Sequence, residues 1–386
     1  MNILFINSFN VSPNLGGTER ITDTLSREFI NSFHHNCYLA YYSEIDKCFT
    51  RTKFTATIHL KNYRDYAPLF NFIIEYKINI VILQGQFRLA KILKSQLKES
   101  NIKIFFAHHL YPGVEKQSIK LSYFLPKEIT SANVLKTLIK TILYPILKIS
   151  IQIKYPIYYK NAYTYADKTI LLSTKLVKPF MEFGNITNNK KFAIIPNALS
   201  FNTFFPICDL NNKENIILIV SRLVENPKRI SLAIKAWEDV SKEINNWRLI
   251  IVGTGKDEDV YKNYCETKNI PNIFFAGNQN PEPFYQKASI FLMTSRLESW
   301  GLTITEAQQF GVVPIAFNSY PSLTDIINPQ NGIIVSDNDL SAYIKAIKYL
   351  IRNKNARKNL AINAIESSKK FKSDIIAKQW IELMKE

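Results

Sequence analysis

Two glutamates in the C-terminal third of this 386-residue chain have the spacing and setting of a binding site. Glu298 follows the compact apolar run Ile290–Met293, which is typical of a buried parallel strand, and Glu306 lies eight positions later where a helix is predicted. Gly301 marks a tight loop between them, and such a loop directs backbone N–H groups and a positive dipole end at an anion. Because carboxylates repel phosphate, the glutamates are expected to take hydroxyls. Phosphate-binding amides beside hydroxyl-binding carboxylates predict a site for a nucleotide-activated sugar.

Two cations follow another apolar run, residues 215–220, in the second half of the chain. Arg222 and Lys228 are six positions apart and straddle the turn after this predicted strand. They can converge on one diphosphate, where arginine offers a planar fork and lysine a point charge. Arg229 could take the role of Lys228, and the sequence leaves both alternatives open.

Alternating strands and helices must position these side chains. In the first half, residues 3–8, 79–83 and 103–106 are predicted strands with helical segments between them. Alternation of this kind predicts an α/β architecture, in which helices cover both faces of a parallel sheet. Ligands of such folds bind beyond the carboxyl ends of the strands. His108 and His109 closely follow the third of these strands, so they are expected at the ligand edge.

The Glu298 and Glu306 spacing, with Gly301 inside it, resembles the donor signature of family 4 of the retaining glycosyltransferases. Further matches occur in the right order over almost the whole chain, at residues 16–17, 108–112, 195–197, 222–228 and 253–255. The resemblance implies the GT-B fold, in which two Rossmann-like domains with doubly wound parallel sheets face a cleft. The acceptor-side domain would span residues 1–200, and the donor-binding domain would span residues 201–371. A final helix, residues 372–386, would pack back on the first domain.

The resemblance also implies roles for single residues. His109 fits the H-x-x-P pattern of the family and is expected with Glu298 at the reacting centre, and His108 is the alternative. Glu306 is expected to hold the ribose hydroxyls of the donor, whereas Glu298 is expected nearer the transferred sugar. The residues expected to bind the donor are Gly16, Gly17, Arg222, Lys228, Gly253, Gly277, Ser299, Trp300, Gly301, Leu302 and Glu306, with Arg229 as an alternative.

The implied activity is transfer of a hexosyl group from a nucleotide diphosphate sugar, with retention at the anomeric carbon and without a metal or other cofactor. A UDP-sugar is favoured as donor over a GDP-sugar, and a glycan or lipid-linked glycan of cell-surface polysaccharide is the expected acceptor. Ser299 and Trp300 replace the Gly and Phe of the commonest pattern, which predicts a loop amide less open to phosphate. Two other classes stay open: a non-catalytic GT-B subunit that binds a glycan or partner, and another GT-B enzyme such as a nucleotide-sugar epimerase.

A formal net charge of +17 calls for an anionic partner. The chain has no helix-turn-helix, RNA-binding aromatic signature or zinc spacing, so nucleic acid is not expected. Residues 134–154 are long and aliphatic, and Lys136, Lys140 and Lys148 would fall on one third of a helical wheel. Either this helix lies on an anionic membrane surface, or it packs in the core with a solvated lysine edge. Pro145 is expected to kink or break it.

Other features of the sequence predict a cytoplasmic protein, with peripheral binding at the inner face of the membrane as a further expectation. Four scattered cysteines without a C-x-x-C motif fit a reducing compartment. The N-terminus lacks the basic region of a signal peptide, and there is no uncharged apolar stretch of 18 residues. Asp257–Asp259 and Asp337–Asp339 match D-x-D, but both lie at predicted helix starts, where carboxylates favour the helix dipole. No metal is therefore expected there.

Overall fold

The structure is a computed structural model that describes residues 1–12, 16–44, 52–97, 100–116 and 131–386. Its residues form two compact units. The first unit contains Met1–Val11 and Phe29–Ile195, and the second contains Ser12–Glu28 and Pro196–Glu386.

The first unit is built on a seven-stranded parallel sheet with the strand order β3-β2-β1-β4-β5-β6-β7. The central strands are almost fully buried, which explains why they are continuous apolar runs without polar alternation. The strands are β1 (Asn2–Phe9), β2 (Asn36–Ser43), β3 (Ala56–His59), β4 (Ile80–Gln84), β5 (Lys103–Ala107), β6 (Lys168–Leu171) and β7 (Phe192–Ile194). Helices from this half of the chain are α1 (Gly17–Asn31), α2 (Ala67–Glu75), α3 (Leu89–Gln96), α4 (Ser131–Tyr165) and α5 (Val177–Gly184).

The second unit contains a six-stranded parallel sheet with the order β10-β9-β8-β11-β12-β13. Its strands are β8 (Ile216–Val220), β9 (Arg248–Val252), β10 (Ile273–Gly277), β11 (Ile290–Met293), β12 (Val313–Asn318) and β13 (Ile333–Ser336). Its helices are α6 (Glu225–Lys228), α7 (Ile230–Val240), α8 (Glu258–Thr267), α9 (Glu282–Lys287), α10 (Leu302–Gln309), α11 (Leu323–Ile326), α12 (Leu340–Arg352), α13 (Lys354–Ser368) and α14 (Ser373–Lys385). Two parallel-sheet α/β units confirm the predicted fold class.

The grouping of residues differs from a simple division near residue 200. The segment Ser12–Glu28, which includes most of α1, belongs to the second unit although it lies near the N-terminus. Helix α14 also groups with the second unit, and the Ser373 hydroxyl at its start donates to the Glu28 carboxylate of α1 over 2.7 Å. The final helix therefore contacts a segment from the predicted first domain that is spatially part of the second unit.

Helix α4 runs without a break from Ser131 to Tyr165 and contains both Pro145 and Pro156. A helix break at Pro145 was one predicted outcome, and it is wrong. Pro145 lies on an exposed part of the helix, where water can bind the carbonyl that the missing N–H leaves unpaired. In the part of the chain that the structure describes, none of the helices is both long and apolar enough to cross a membrane.

Candidate functional site

The loop between β11 and α10 has the predicted strand–loop–helix form. Thr294 and Ser295, which follow β11 directly, are buried, and Gly301 is the N-cap residue of α10, with a φ of +105°. A Cβ at Gly301 would lie 2.8 Å from the Tyr320 hydroxyl. Both the backbone conformation and this close neighbour therefore require glycine at the start of the helix.

The structure brings two of the predicted residues, Lys228 and Glu298, into direct contact. Lys228 Nζ forms an ion pair with Glu298 Oε1, and the two side chains are 17% and 19% exposed. Their loops are also joined through the backbone, because the Arg296 amide donates to the Pro227 carbonyl over 2.8 Å. The Thr294 hydroxyl adds a bond to the Lys228 carbonyl at 2.9 Å. A cation and a carboxylate thus lie side by side near the first turn of α10.

Arg229 has a different position from Lys228. Its Nε donates to the Thr294 carbonyl over 2.7 Å, and its Nη2 pairs with Asp337 at 2.7 Å. Its Nη1 donates to Asn338 over 2.9 Å. The guanidinium therefore connects the loops that follow β8, β11 and β13. Of the two alternatives, Lys228 is the one that lies against Glu298.

Both D-x-D segments use an aspartate for hydrogen bonding within the protein. Asp337 is the ion-pair partner of Arg229, and Asp257 accepts from the Glu225 amide over 2.8 Å. Among the residues that the structure describes, no three His, Cys, Asp or Glu side chains lie close enough together to hold a metal ion. Independence from metal stays a prediction.

Gly253 and Gly277 shape the turn that carries Arg222, which is exposed. The Gly253 amide donates to the Gly277 carbonyl over 2.7 Å, and the two glycines have φ values of +132° and +71°. A Cβ at Gly253 would overlap the Ser221 carbonyl, one residue before Arg222. The loops after β8 and β9 can pack this closely only because Gly253 lacks a side chain, whereas a Cβ at Gly277 would meet no neighbour within 4 Å.

Glu306 is fully buried, with 0% exposure. Its Oε1 accepts from Arg20 Nη1 over 2.6 Å and from the Ser200 hydroxyl over 2.7 Å, and its Oε2 accepts from the Tyr285 hydroxyl over 3.1 Å. Burial raises the pKa of Tyr285 well above its usual range, and the Glu306 carboxylate acts in the same direction, so the phenol stays a donor. Glu306 is therefore a buried, ion-paired carboxylate, and its predicted contact with ribose would have to use the remaining acceptor capacity of Oε2.

The glycine pair at the start of α1, Gly16 and Gly17, lies beside the same site. A Cβ at Gly17 would lie 3.3 Å from Leu302 Cδ1, so two predicted donor-binding residues are neighbours. A Cβ at Gly16 would lie 2.7 Å from the Glu19 carboxylate. Burial raises the pKa of Glu19, and the nearby charge of Arg222 acts in the opposite direction. The start of α1 thus reaches both α10 and the turn after β8.

Trp300 and Ser299 have mainly anchoring contacts. The Trp300 indole is buried and packs edge-on against the Phe371 ring, with centroids 5.2 Å apart. The Ser299 carbonyl accepts from the Ser322 hydroxyl over 2.8 Å. With its side chain held in the core, Trp300 could meet a donor only through its backbone.

In the first unit, the two histidines after β5 have different surroundings. His108 is buried, and its Nε2 lies 3.2 Å from the Tyr159 hydroxyl. Burial, and secondarily the neighbouring His109, lowers the pKa of His108 to about 3, so this ring stays neutral. His109 is partly exposed, and its Nε2 contacts Gln84 Oε1. His109 therefore remains the better candidate for contact with a ligand.

Residues 200–367 match the family model described as "Glycosyl transferases group 1". The matched region contains most of the predicted donor-binding residues, among them the Lys228–Glu298 pair, Arg222, Gly253, Gly277, Gly301 and Glu306.

Two curated relatives resemble part of the chain. An uncharacterized glycosyltransferase of Haemophilus influenzae is 26% identical over 222 residues, which are 57% of this chain and 61% of that protein. The GalNAc-alpha-(1->4)-GalNAc-alpha-(1->3)-diNAcBac-PP-undecaprenol alpha-1,4-N-acetyl-D-galactosaminyltransferase of Campylobacter jejuni is 25% identical over 199 residues, 51% of this chain and 55% of that protein. The chain therefore spans less than two thirds of the length of these relatives.

A likeness to solved structures extends over the whole chain. The pneumococcal O-GlcNAc transferase GtfA, crystallised with UDP and GlcNAc, superimposes on 100% of this chain and 98% of its own with a TM-score of 0.72. The sequence identity is 13%, so the likeness shows the fold alone. That fold is GT-B, as the sequence predicted.

Sequence reasoning missed Arg20, which is the ion-pair partner of Glu306. Arg20 follows the Gly16–Gly17 pair by only three residues, but its partner Glu306 is 286 positions away. No local pattern marks such a pair. The one available signal was the position of an arginine on the first turn of a helix, where a cation opposes the helix dipole and therefore needs another reason to be there.

Proposed function

We propose that the protein is a retaining glycosyltransferase. It would move a hexosyl group from a nucleotide diphosphate sugar, preferably a UDP-sugar, to a hydroxyl of a glycan or lipid-linked glycan in cell-surface polysaccharide biosynthesis. The contact of Lys228 with Glu298 beside Gly301 carries this proposal, because it joins a cation for phosphate to a carboxylate for sugar hydroxyls. The name of the Campylobacter relative, an enzyme with an undecaprenol-linked acceptor, supports the acceptor class, and the UDP complex of the pneumococcal transferase supports the donor class.

In this reaction the protein supplies orientation and charge. Arg222, Lys228 and the first amides of α10 would offset the charge of the leaving diphosphate, while Glu298 would bind the transferred sugar. The acceptor hydroxyl would attack the anomeric carbon from the face of the leaving group. The bond from that carbon to the phosphate oxygen breaks, and this oxygen takes the proton of the acceptor. No carboxylate of the protein needs to act as a nucleophile.

Nucleotide binding tests the proposal first. In a thermal-shift panel with UDP, GDP and ADP, UDP at 100 times its dissociation constant should add about 2.7 kcal/mol to the free energy of unfolding. Lys228→Met should weaken UDP binding about tenfold or more, because it removes a charged contact to phosphate. The matched control Lys242→Met, at an exposed position of the same unit, should bind as the native protein does.

The outcomes of this panel separate the alternatives. A protein that none of the three nucleotides stabilises would favour the non-catalytic GT-B subunit. Release of free sugar from the donor without any acceptor would favour an epimerase-type enzyme. Stabilisation by GDP instead of UDP would keep the glycosyltransferase and change its donor.

Chelation of metals should leave transfer essentially unchanged. The charge of the diphosphate is assigned to Arg222, Lys228 and helix amides, while Asp257 and Asp337 already serve the Glu225 amide and Arg229. The measurement is the initial rate of transfer before and after addition of EDTA. An enzyme that EDTA silences and Mn²⁺ restores would contradict the prediction and would assign a metal to the Asp257–Asp259 segment.

Helix α4 carries an apolar stripe that supports a membrane location. The side chains of this stripe lie within about a third of the helical wheel and are between 43% and 62% exposed; they are Leu143, Ile146, Ile149, Ile153 and Ile157. Tyr159 and Ala162, on the opposite side of the helix, are buried. Lys148, Lys154 and Lys160 are exposed, whereas the side chains of Lys136 and Lys140 lie outside the described residues. Apolar residues accompanied by lysines fit the interface of an anionic leaflet.

The protein should therefore bind vesicles that contain anionic lipid, and binding should fall as salt is raised past the screening range. Ile149→Glu combined with Ile153→Glu should weaken this binding about tenfold or more, because both charges would enter the apolar layer. Gln152→Glu adds a charge at an exposed position outside the stripe and is the matched control. Replacing Lys136, Lys140 and Lys148 by Gln should also weaken binding. Unchanged binding in the isoleucine variant would exclude the stripe as the membrane contact.

A further inference from the structure

Gln84 is a buried glutamine at the carboxyl end of β4. Its side chain is 4% exposed, and the ladder between β4 and β5 places it opposite Ala107, two positions before His109. The Gln84 Oε1 atom contacts His109 Nε2. A buried amide requires hydrogen-bond partners, and the partner that this one has is a predicted catalytic ring.

We propose that Gln84 is a positioning residue for His109. Its side-chain carbonyl accepts the Nε2–H of the ring, so His109 is held as the Nε2–H tautomer and its lone pair lies on Nδ1. Nδ1 is buried, so the bond from Gln84 fixes the orientation of this partly exposed residue close to the carboxyl end of β5. An effect of this orientation on catalysis rests on the proposed glycosyl transfer; the tautomer does not.

His108, the residue before His109, is also held in place by hydrogen bonds. The Tyr159 hydroxyl donates to the Glu115 carboxylate, at 3.0 Å from Oε2, and accepts from the Gly113 amide at 3.1 Å. Because its one proton is used on Glu115, the bond between Tyr159 and His108 Nε2 must have His108 as donor. The His108 amide also donates to the Ile170 carbonyl over 3.0 Å. The backbone before His109 is therefore fixed, and Gln84 needs to hold only the ring.

Nitrogen-detected NMR of the histidine rings tests the tautomer directly in the full chain. The signals of His109 are those that are missing from the spectrum of His109→Asn. The native protein should show His109 as the Nε2–H form. In Gln84→Leu, which keeps the volume and removes the acceptor, both tautomers should be populated. In Gln84→Glu the midpoint of the His109 titration should rise by about 1 to 3 pH units, because a carboxylate favours the charged ring. The control is Gln86→Leu: Gln86 donates to the Ser8 hydroxyl over 2.8 Å, and its loss should leave the His109 signals as in the native protein.

Kinetics then separate a positioning role from a structural one. Gln84→Leu should lower kcat about tenfold, as expected for one hydrogen bond of ordinary strength, with little change in the KM of the donor. Gln84→Glu should move the acidic limb of the pH–rate profile by the same amount as the NMR midpoint. A native protein whose His109 is the Nδ1–H form would overturn the inference. A Gln84→Leu protein that keeps the native tautomer and the native turnover, while His109→Asn is inactive, would also overturn it. Both results would leave the proposed function intact. A native protein that transfers no sugar would overturn the proposed function, while the NMR result would still decide the tautomer.

Discussion

Glu306→Gln should lower the free energy of unfolding by about 3 kcal/mol, the largest loss of stability expected from one substitution in this site. The carboxylate is fully buried and is the ion-pair partner of Arg20 at 2.6 Å. Removing its charge leaves the Arg20 guanidinium in a largely buried place without its counter-charge, and it also weakens the bonds from Ser200 and Tyr285. The expected loss is at the lower end of the range for broken buried pairs because the Arg20 side chain keeps 20% exposure. Urea unfolding of the native and variant proteins measures it.

A double-mutant cycle shows whether the pair itself is responsible. Arg20→Met should cost a similar amount, since it leaves the buried Glu306 carboxylate without its cation. The double variant Arg20→Met with Glu306→Gln should be clearly more stable than the sum of the two losses predicts, because neither charge is then left alone. Arg27→Met, combined with Glu306→Gln, is the control for additivity. Arg27 lies on the same helix as Arg20 but pairs with Asp23 at 3.4 Å, away from Glu306. Additive losses in the double variant would show that the two side chains do not stabilise each other.

The local structure around Glu298 was predictable because its signals are short-range. An apolar run of four residues predicted β11, and one glycine predicted the loop that begins α10. The same kind of reasoning gave two parallel sheets from the alternation of strands and helices. These patterns reflect burial on both faces of a strand and backbone freedom at a turn, and both are properties of neighbouring residues.

Pairings over long sequence distances were beyond this reasoning. Lys228 and Glu298 are 70 positions apart, and Arg20 and Glu306 are 286 apart, so only the folded sheet brings them together. The sequence also left Arg229 as an alternative to Lys228. The two cations differ because the loops after β11 and β13 bind Arg229, through the Thr294 carbonyl and the Asp337 carboxylate.

Pro145 shows how tertiary context corrects a local rule. Proline removes one helical hydrogen bond, which predicted a break or kink in the segment 134–154. The helix continues because one side of it is packed in the first unit through Tyr159 and Ala162, while Pro145 itself is exposed. Packing over a 35-residue helix outweighs the loss of one bond at a solvated position.

Glu298→Gln should lower the turnover of glycosyl transfer about 100-fold or more while free UDP still binds. The carboxylate lies against Lys228 and beside the start of α10, where it would bind the sugar as positive charge develops at the anomeric carbon. An interaction that strengthens only in the transition state lowers kcat and kcat/KM together when it is lost. Free UDP lacks the transferred sugar, so it does not use this contact. Loss of the carboxylate also releases Lys228 from its ion pair, and UDP affinity should therefore be kept or increased.

Comparison with Glu306→Gln makes the result specific to Glu298. Calorimetry with free UDP, on protein first shown to be folded, should give a weaker affinity for Glu306→Gln, because the ribose contact proposed for Glu306 would be made by nucleotide and donor alike. Steady-state rates of the same two proteins complete the comparison. If Glu298→Gln loses affinity for free UDP and Glu306→Gln keeps it, the two glutamates have the opposite roles. If Glu298→Gln changes neither affinity nor rate, the loop between β11 and α10 is not where the transferred sugar binds.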